Sequence, residues 1–348
     1  MTTREALHPM SARETQSGRL PRWPRLSTLA AQPAPSALAL LLIVAAVLQP
    51  SFYSGSNVVS LLEQASILGI VTVGQTFVLL GRGLDLSVGA VMGLSATVVT
   101  QVSAHGTGIA LAVAAALGVS AAIGLLNAWL VVRRSVAPFI ATLGTFILVD
   151  GLRTAYTQGS TSGSAPGALR HLALGSIGPV PSALLVWLGI AALALAMLRH
   201  SLAGRWLYAS GGNPRTSRLS GVPVAPVVAA TYVVAALLAC VGGLMQAGFT
   251  GYVDQYLGSQ VQLTSITAAL IGGVTFAGGR GGIGGPVAGA LLLTALANLI
   301  VLLNLSTADE AVVTGAVLLL AVALQGFRLA QRSGRVAIRE LLPPLKGG

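Results

Sequence analysis

The sequence predicts an all-α integral membrane protein with about ten transmembrane helices and with the N-terminus and C-terminus both cytoplasmic. Three observations lead to this fold class. Of the 348 residues, 54% are hydrophobic and only 8% are charged, whereas a soluble domain carries about 25% charged residues. The mean hydropathy is +0.82. The apolar residues form long runs that do not alternate, which favours helices over transmembrane β-strands.

The apolar runs follow one another along the chain and are bounded by charges or by Gly/Pro clusters. The first ends at Pro50, the third begins after Asp85, the fourth stops before Arg133 and the sixth stops at Arg199. Most are long enough for a helix that crosses the hydrocarbon core. The predicted spans are residues 36–50, 58–80, 87–104, 107–131, 137–153, 182–198, 225–247, 264–278, 285–304 and 311–327.

These spans divide the chain into three parts. Residues 1–35 form a polar, Arg- and Pro-containing N-terminal tail, which we expect to be cytoplasmic and poorly ordered. Residues 36–327 form the ten-helix domain, and residues 328–348 form a basic cytoplasmic tail. With the N-terminus inside, 18 of the 20 lysine and arginine residues fall on the cytoplasmic side. That asymmetry supports the span count and the orientation, because cytoplasmic loops of membrane proteins are enriched in basic residues.

The net charge of +11 is therefore a topology signal, and no nucleic-acid partner is expected. Lys346, the single lysine, has no glycine-rich loop before it, so the chain contains no Walker A phosphate-binding loop and cannot hydrolyse ATP in that way. The four histidines are scattered and Cys240 is the single cysteine, so neither a metal site nor an internal disulfide is predicted. The sequence shows no catalytic residue, and we expect no enzyme and no cofactor on this chain.

A conspicuous motif, GLDLSVG, lies at Gly83–Gly89 between two predicted spans. A carboxylate at membrane depth is costly and marks a candidate functional site, but at the interface Asp85 could simply cap the next helix. The sequence leaves both interpretations open: a capped helix start, or a hinge or gate at the cytoplasmic mouth.

Residues 204–224 are the longest polar stretch between spans on the predicted cytoplasmic side. Asn213 can cap a short helix that starts at Pro214, and Gly221 can end it. Such a helix suits the docking of a cytoplasmic partner, although an ordinary amphipathic connector held at the lipid surface would look the same.

The segment Ile271–Ala290 is rich in glycine and contains a literal G-x-G-x-x-G from Gly279 to Gly284. A dinucleotide site requires a preceding strand in a βαβ unit, and the flanking residues here are apolar spans. Small residues four apart, such as Gly285 and Gly289, favour close helix packing, although broken helices at a gate would use the same glycines.

Several motifs in order carry a resemblance to a known family. From about residue 51 to residue 325 the chain resembles the membrane permease subunits of bacterial ABC importers for ribose and related monosaccharides, within the branched-chain amino-acid/sugar permease superfamily. The matching motifs are GLDLSVGA at Gly83–Ala90, the turn Gly124–Asn127, PFIATLGT at Pro138–Thr145, GRWLYASGGNPRTSRLSGV at Gly204–Val222 and AALIGGVTFAGGRGGIGGPVAGA at Ala268–Ala290.

The resemblance implies a set of partners and site residues. It implies a second permease subunit, so that a homodimer is expected, a separate cytoplasmic ATPase that binds ATP and magnesium, and a periplasmic or lipid-anchored solute-binding protein. The loop similar to the ATPase-docking loop of the family contains Asn213, Pro214, Arg215, Arg218, Leu219, Ser220 and Gly221. Candidate gate residues within the family motifs are Gly83, Asp85, Ser87, Gly89, Asn127, Gly272, Gly273, Gly279, Arg280 and Gly281.

One departure from the family pattern bears on the cargo. The family usually has acidic residues just before the eighth span, where this chain has Gln262, Leu263 and Ser265. The sequence thus predicts a multi-pass inner-membrane permease subunit that imports a monosaccharide or a similar small polar solute by alternating access. A branched-chain amino acid or a nucleoside remains an alternative cargo. A stand-alone secondary transporter is disfavoured, since Glu63 and Asp150 are the main candidates for ion coupling and form no evident network.

Overall fold

The computed structural model describes residues 33–320 and residue 323, apart from residues 161, 307 and 310. The predicted disorder of the N-terminal tail and the predicted basic C-terminal tail lie outside this part of the chain. The long helices are α1 Pro33–Leu48, α2 Gly55–Leu80, α3 Val88–Ala104, α4 Ile109–Ala128, α5 Pro138–Thr157, α7 Ser182–His200, α10 Val224–Thr250 and α12 Gly284–Leu302. Shorter helices are α6 Gly167–Leu174, α8 Leu202–Gly212, α9 Pro214–Leu219, α11 Val261–Ile271 and α13 Ala311–Leu320.

Among the described residues, six helices are long and apolar enough to cross a membrane, and four shorter apolar helices lie at the remaining predicted span positions. The mostly helical membrane fold predicted from the sequence is therefore confirmed. Apolar side chains on these helices face outward as well as inward, as in Leu193 and Val312, which are 72% and 71% exposed. Lipid tails, unlike water, impose no penalty on such an outward face.

Helices α2 and α10 form the centre of the domain and pack against each other. Their contact is close because small residues lie at the crossing: a Cβ at Gly74 would be 3.1 Å from the Cα of Ala235. At the other end of α2, Asn57 and Asn298 of α12 exchange side-chain amide hydrogen bonds of 3.0 and 2.9 Å. Both side chains are half-buried, and each amide satisfies the other, which lowers the cost of placing polar groups between apolar helices.

The eighth predicted span, 264–278, is wrong at its C-terminal end. Helix α11 stops at Ile271, and the chain then runs without helix to Gly284. Gly273, Gly278, Gly279 and Gly281 all have positive φ, between 64° and 126°, a backbone region in which a right-handed helix cannot continue. The predicted turn at Gly124–Asn127 is also wrong, because these residues lie inside α4, where Gly124 packs against the backbone of α10.

Two short two-stranded sheets lie between the helices. Strands β1 Ser162–Ser164 and β4 Tyr252–Val253 pair antiparallel, with Ser164 opposite Tyr252. Strands β2 Ser176–Ile177 and β3 Val180–Pro181 form a tight hairpin. The first sheet fixes the chain at the end of α10, just before the segment Asp254–Gln260 enters the helical domain.

Helix α11 has 11 residues and spans only about 17 Å, which is short of the roughly 30 Å hydrocarbon core. The non-helical segment Asp254–Gln260 supplies further length to the membrane crossing that contains α11. A Cβ at Gly258 would overlap the carbonyl group of Gly89, which lies in the first turn of α3. Residues predicted as an outer loop thus reach the first turn of α3, and irregular backbone at such a depth is tolerated where protein surrounds it.

Candidate functional site

The GLDLSVG motif folds back along the end of α2 and does not continue into solvent. After Gly81, Arg82 adopts a left-handed conformation with φ of 66°, and the Gly83 amide donates to the Val78 carbonyl over 2.9 Å. A Cβ at Gly83 would lie 2.5 Å from the Tyr232 hydroxyl of α10, so only glycine fits there. The turn places Asp85 beside α2, where it has no exposed surface.

Asp85 lies in a buried polar cluster, which we define as Gln75, Asp85, Ser87, Asn127 and Thr142, all of them 0% exposed. Asp85 Oδ1 accepts from the Ser87 amide over 2.8 Å and from the Ser87 hydroxyl over 2.6 Å. The Asn127 side-chain amide of α4 donates to the Ser87 hydroxyl over 2.8 Å. The cluster therefore joins the start of α3 to α4 through side chains.

The backbone of the same segment is held by two further helices. The Gln75 side-chain amide of α2 donates to the Asp85 carbonyl, and the Leu86 amide donates to the Thr142 hydroxyl of α5 over 3.1 Å. Three helices, α2, α4 and α5, thus position the segment that precedes α3. Gln75 and Thr142 were not identified as site residues from the sequence, since polar side chains inside apolar spans carry no signal of their partners.

The geometry separates the two interpretations of Asp85. Asp85 does not cap α3, because the N-cap position is Ser87, which makes no side-chain capping bond, and Asp85 Oδ1 accepts from Ser87 itself in a local turn ahead of the helix. Asp85 is fully buried, and three acceptors of the cluster have no hydrogen-bond partner among the described residues: Gln75 Oε1, Asp85 Oδ2 and Asn127 Oδ1. An acceptor that stays unpaired inside the protein costs about 1–3 kcal/mol, so these three atoms are where a water molecule or a polar ligand group would be stabilised.

Three segments meet at the end of α2: α2 itself, α8 and the segment 272–283. We call their meeting point the glycine junction and define it by Leu80, Gly211 and Gly279. The Gly279 amide donates to the Leu80 carbonyl over 2.9 Å. A Cβ at Gly211, near the end of α8, would overlap the Leu80 carbonyl oxygen and lie 2.6 Å from the Gly279 nitrogen. Three backbones therefore meet without side chains between them.

The candidate gate residues between Gly272 and Gly281 belong to the same non-helical segment as Gly279. Gly272 packs directly against Gly285 of α12, and Gly289 packs against the Ala268 carbonyl of α11, so the predicted close helix packing is confirmed there. Gly273 faces open space, and Arg280 is exposed. Gly281 forms part of the turn and accepts a 2.9 Å hydrogen bond from the Tyr208 hydroxyl of α8. Tyr208 is a further residue that the sequence did not single out.

The helix predicted at Pro214 is present as α9, Pro214–Leu219. The Asn213 side-chain oxygen accepts from the Arg215 and Thr216 amides, both over 3.1 Å, as an N-cap residue does. Gly221 follows with φ of 79° and ends the turn as predicted. Six of the seven predicted docking residues are exposed, and Pro214 is half-buried.

Leu219 is 85% exposed at the end of α9, and Arg215 and Arg218 of the same helix are exposed beside it. A protruding leucine flanked by two cations is suited to a partner surface with an apolar pocket and acidic residues. Helix α9 follows α8 directly, so the glycine junction connects this exposed helix to the end of α2. No three His, Cys, Asp or Glu side chains of the described part of the chain are grouped to hold a metal ion.

Comparison with known proteins gives consistent matches over most of the chain. The model of the family described as "Branched-chain amino acid transport system / permease component" matches residues 57–322. The ribose import permease RbsC of Escherichia coli K12 is 36% identical over 313 residues, which cover 89% of this chain and 97% of that protein. RbsC of Bacillus subtilis 168 is 36% identical, covering 82% and 90%.

A more distant relative is the galactose/methyl galactoside import permease MglC of Escherichia coli K12, which is 28% identical over 317 residues, or 85% of this chain and 94% of that protein. No solved structure matches the chain. The matched region contains both the polar cluster and the exposed helix α9.

Proposed function

This chain belongs to the family of permease components of branched-chain amino acid transport systems, and we propose that it is the membrane permease subunit of an ATP-driven importer of a monosaccharide. The observation that carries the proposal is the match to ribose import permeases along nearly their whole length. The chain is a multi-pass protein of the bacterial inner membrane, and its role is to form a pathway for the solute.

The proposed mechanism is alternating access with ATP hydrolysis on a separate subunit. We assign α9 as the docking helix for that ATPase and the Asp85 segment as the cytoplasmic gate. Movement of α9 reaches α2 and the 272–283 segment through the glycine junction, because the three backbones are in direct contact there. ATP drives the switch to the extent that it binds the two conformations with different affinity.

The proposed assembly contains two copies of this permease, the ATPase subunits on the cytoplasmic side and a solute-binding protein on the outer side. Ten membrane segments with both termini inside place 18 of the 20 lysine and arginine residues in the cytoplasm, which supports this orientation. It also places α9, with Arg215 and Arg218, on the side where the ATPase is.

The cargo is tested by transport in liposomes that contain the permease and its cognate ATPase, supplied with the cognate binding protein. Radiolabelled D-ribose and D-galactose are the first probes, and leucine is included because the family description names branched-chain amino acids. We expect ATP-dependent uptake of a sugar and no uptake of leucine. Leucine uptake without sugar uptake would reassign the cargo, and sugar uptake by the permease alone would replace the importer with a stand-alone transporter.

The docking of α9 is tested by reversing its charges. We expect Arg215→Glu with Arg218→Glu to abolish copurification of the ATPase, since both side chains are exposed and repulsion replaces attraction to an acidic surface. The matched control is Arg133→Glu with Arg205→Glu, an equal change of charge at exposed residues on the same predicted side but outside α9. ATPase binding by the α9 variant equal to that of the control would contradict the assignment.

A further inference from the structure

A cleft of about 270 Å³ lies beside the interrupted outer segment, between the end of α10 and the start of α11. Its polar side chains come from Gln246 and Thr250 of α10 and from Asp254, Tyr256, Ser259 and Gln260 of the segment. Pockets for drug-sized ligands measure about 300–1,000 Å³, so this cleft suits a smaller solute. We propose that it is a contact site for the transported solute and that its ligand is an uncharged polyhydroxylated molecule; the proposal rests on the proposed function.

The chemistry of the lining selects this class of ligand. The Gln246 and Gln260 amides each offer a donor and an acceptor, and neither side chain bonds to another residue in the described part of the chain. Hydroxyl groups, which both donate and accept, match such amides well. The Tyr256 ring is 70% exposed at the cleft and supplies an apolar face for the C–H groups of a sugar ring.

The same lining disfavours an amino acid. The described lining residues include no lysine, arginine or histidine and do include Asp254, so the carboxylate of a zwitterion would meet no cation and would lie near a like charge. The apolar part of the cleft consists of Leu257 and Val261, and Leu257 is already buried. No apolar subpocket for a branched side chain is formed by these residues.

Arg153 fixes the backbone of the segment that carries Tyr256 and Gln260. Arg153 of α5 is only 3% exposed; its guanidinium pairs with Asp150 over 2.8 Å and donates to the carbonyl groups of Asp254 and Gln255. These charge-assisted hydrogen bonds position the backbone, which reduces the ordering cost of binding a ligand.

The cleft is also connected to the gate. Gly258 lies against Gly89, and the Asp85 segment begins only a few residues before Gly89. A solute bound between Gln246 and Gln260 therefore touches a segment that is in direct backbone contact with the start of α3. The site links the presence of solute to the conformation of the gate.

The test uses the complete reconstituted importer. A double variant, Gln246→Met with Gln260→Met, is compared with the control variant Gln255→Met. Methionine keeps the length of the side chain and removes the amide, and Gln255 lies in the same segment but outside the cleft lining. We expect the double variant to lose about tenfold or more in sugar uptake per ATP hydrolysed, since two hydrogen bonds to the solute are lost. The half-saturating concentration of binding protein is expected to stay unchanged.

Three outcomes would overturn the site: uptake unchanged in the double variant, an equal loss in Gln255→Met, or a higher half-saturating concentration of binding protein with unchanged maximal uptake. The last would make this surface a docking site for the binding protein. Liposomes with the wild-type importer distinguish a failure of the proposed cleft from a failure of the proposed function. If the wild type imports neither ribose nor galactose, the proposed function itself is refuted. A tyrosine variant, Tyr256→Phe, is expected to retain uptake, since it keeps the ring.

Discussion

Gly211→Ala is expected to reduce solute uptake at least tenfold, whereas Gly212→Ala, one residue further, is expected to stay within twofold of the wild type. A Cβ at Gly211 would overlap the Leu80 carbonyl oxygen, and no rotamer can relieve a clash between a Cβ and a backbone. A Cβ at Gly212 meets nothing within 4 Å. The two variants add the same methyl group to neighbouring residues of α8. A difference in uptake between them is therefore attributed to the close contact at the glycine junction.

The measurement is ATP hydrolysis together with sugar uptake in the same liposomes. We expect Gly211→Ala to separate α8 from α2 and thus to leave ATP hydrolysis in place without uptake, since the ATPase still docks on α9. Size-exclusion profiles of the two variants check that both are folded. Wild-type uptake by a folded Gly211→Ala protein would show that the close contact of the three backbones is not needed for transport.

Asp85→Ala is expected to lower the thermal stability of the permease by several degrees relative to Asp85→Asn. An asparagine oxygen can still accept from the Ser87 amide, whereas alanine leaves that buried donor unpaired at a cost of about 1–3 kcal/mol. For domains of 150–250 residues each kcal/mol corresponds to roughly 2–4 °C, and a longer chain shifts less for the same free energy. The apparent midpoint of unfolding in detergent, measured at one heating rate for all variants, gives the comparison.

Asp309 provides a matched control for Asp85. Its Oδ2 accepts from the Ser306 amide over 2.8 Å and from the Ser306 hydroxyl over 2.7 Å, the same pair of bonds that Asp85 makes with Ser87. These bonds lower the pKa of Asp309 below its usual value, but the carboxylate is exposed. Because water can replace an exposed acceptor, Asp309→Ala is expected to shift the midpoint far less. Equal shifts for Asp85→Ala and Asp309→Ala would mean that burial of the Asp85 segment does not contribute to stability.

The exposed helix α9 was predictable from the sequence because its signals are local. Asn213 and Pro214 are adjacent, and an N-cap followed by proline defines a helix start within a few residues. The positions of most spans were predictable for a similar reason, since an apolar run bounded by charges is a local pattern. In both cases the residues that form the structure are neighbours in the chain.

The interrupted segments were not predictable in the same way. The segment Asp254–Gln260 is polar, so its sequence looks like that of an outer loop. Only the structure shows that Gly258 contacts Gly89 and that Arg153 donates to the carbonyl groups of the segment. The run after Ile271 is rich in glycine, and because glycine is common in membrane helices its presence alone does not mark where α11 ends. The partners that α2, α4 and α5 provide for residues 84–87 depend on tertiary packing, which no local pattern records.

The paired amides of Asn57 and Asn298 give α2 a second role besides packing. At one end α2 is fastened to α12 by this pair, and at the other end it meets the glycine junction. Its 26 residues extend about 39 Å, further than the hydrocarbon core is thick. Helix α2 therefore joins three partners through one continuous element: α12 at its start, the Asp85 carbonyl through the Gln75 side chain, and the glycine junction at its end.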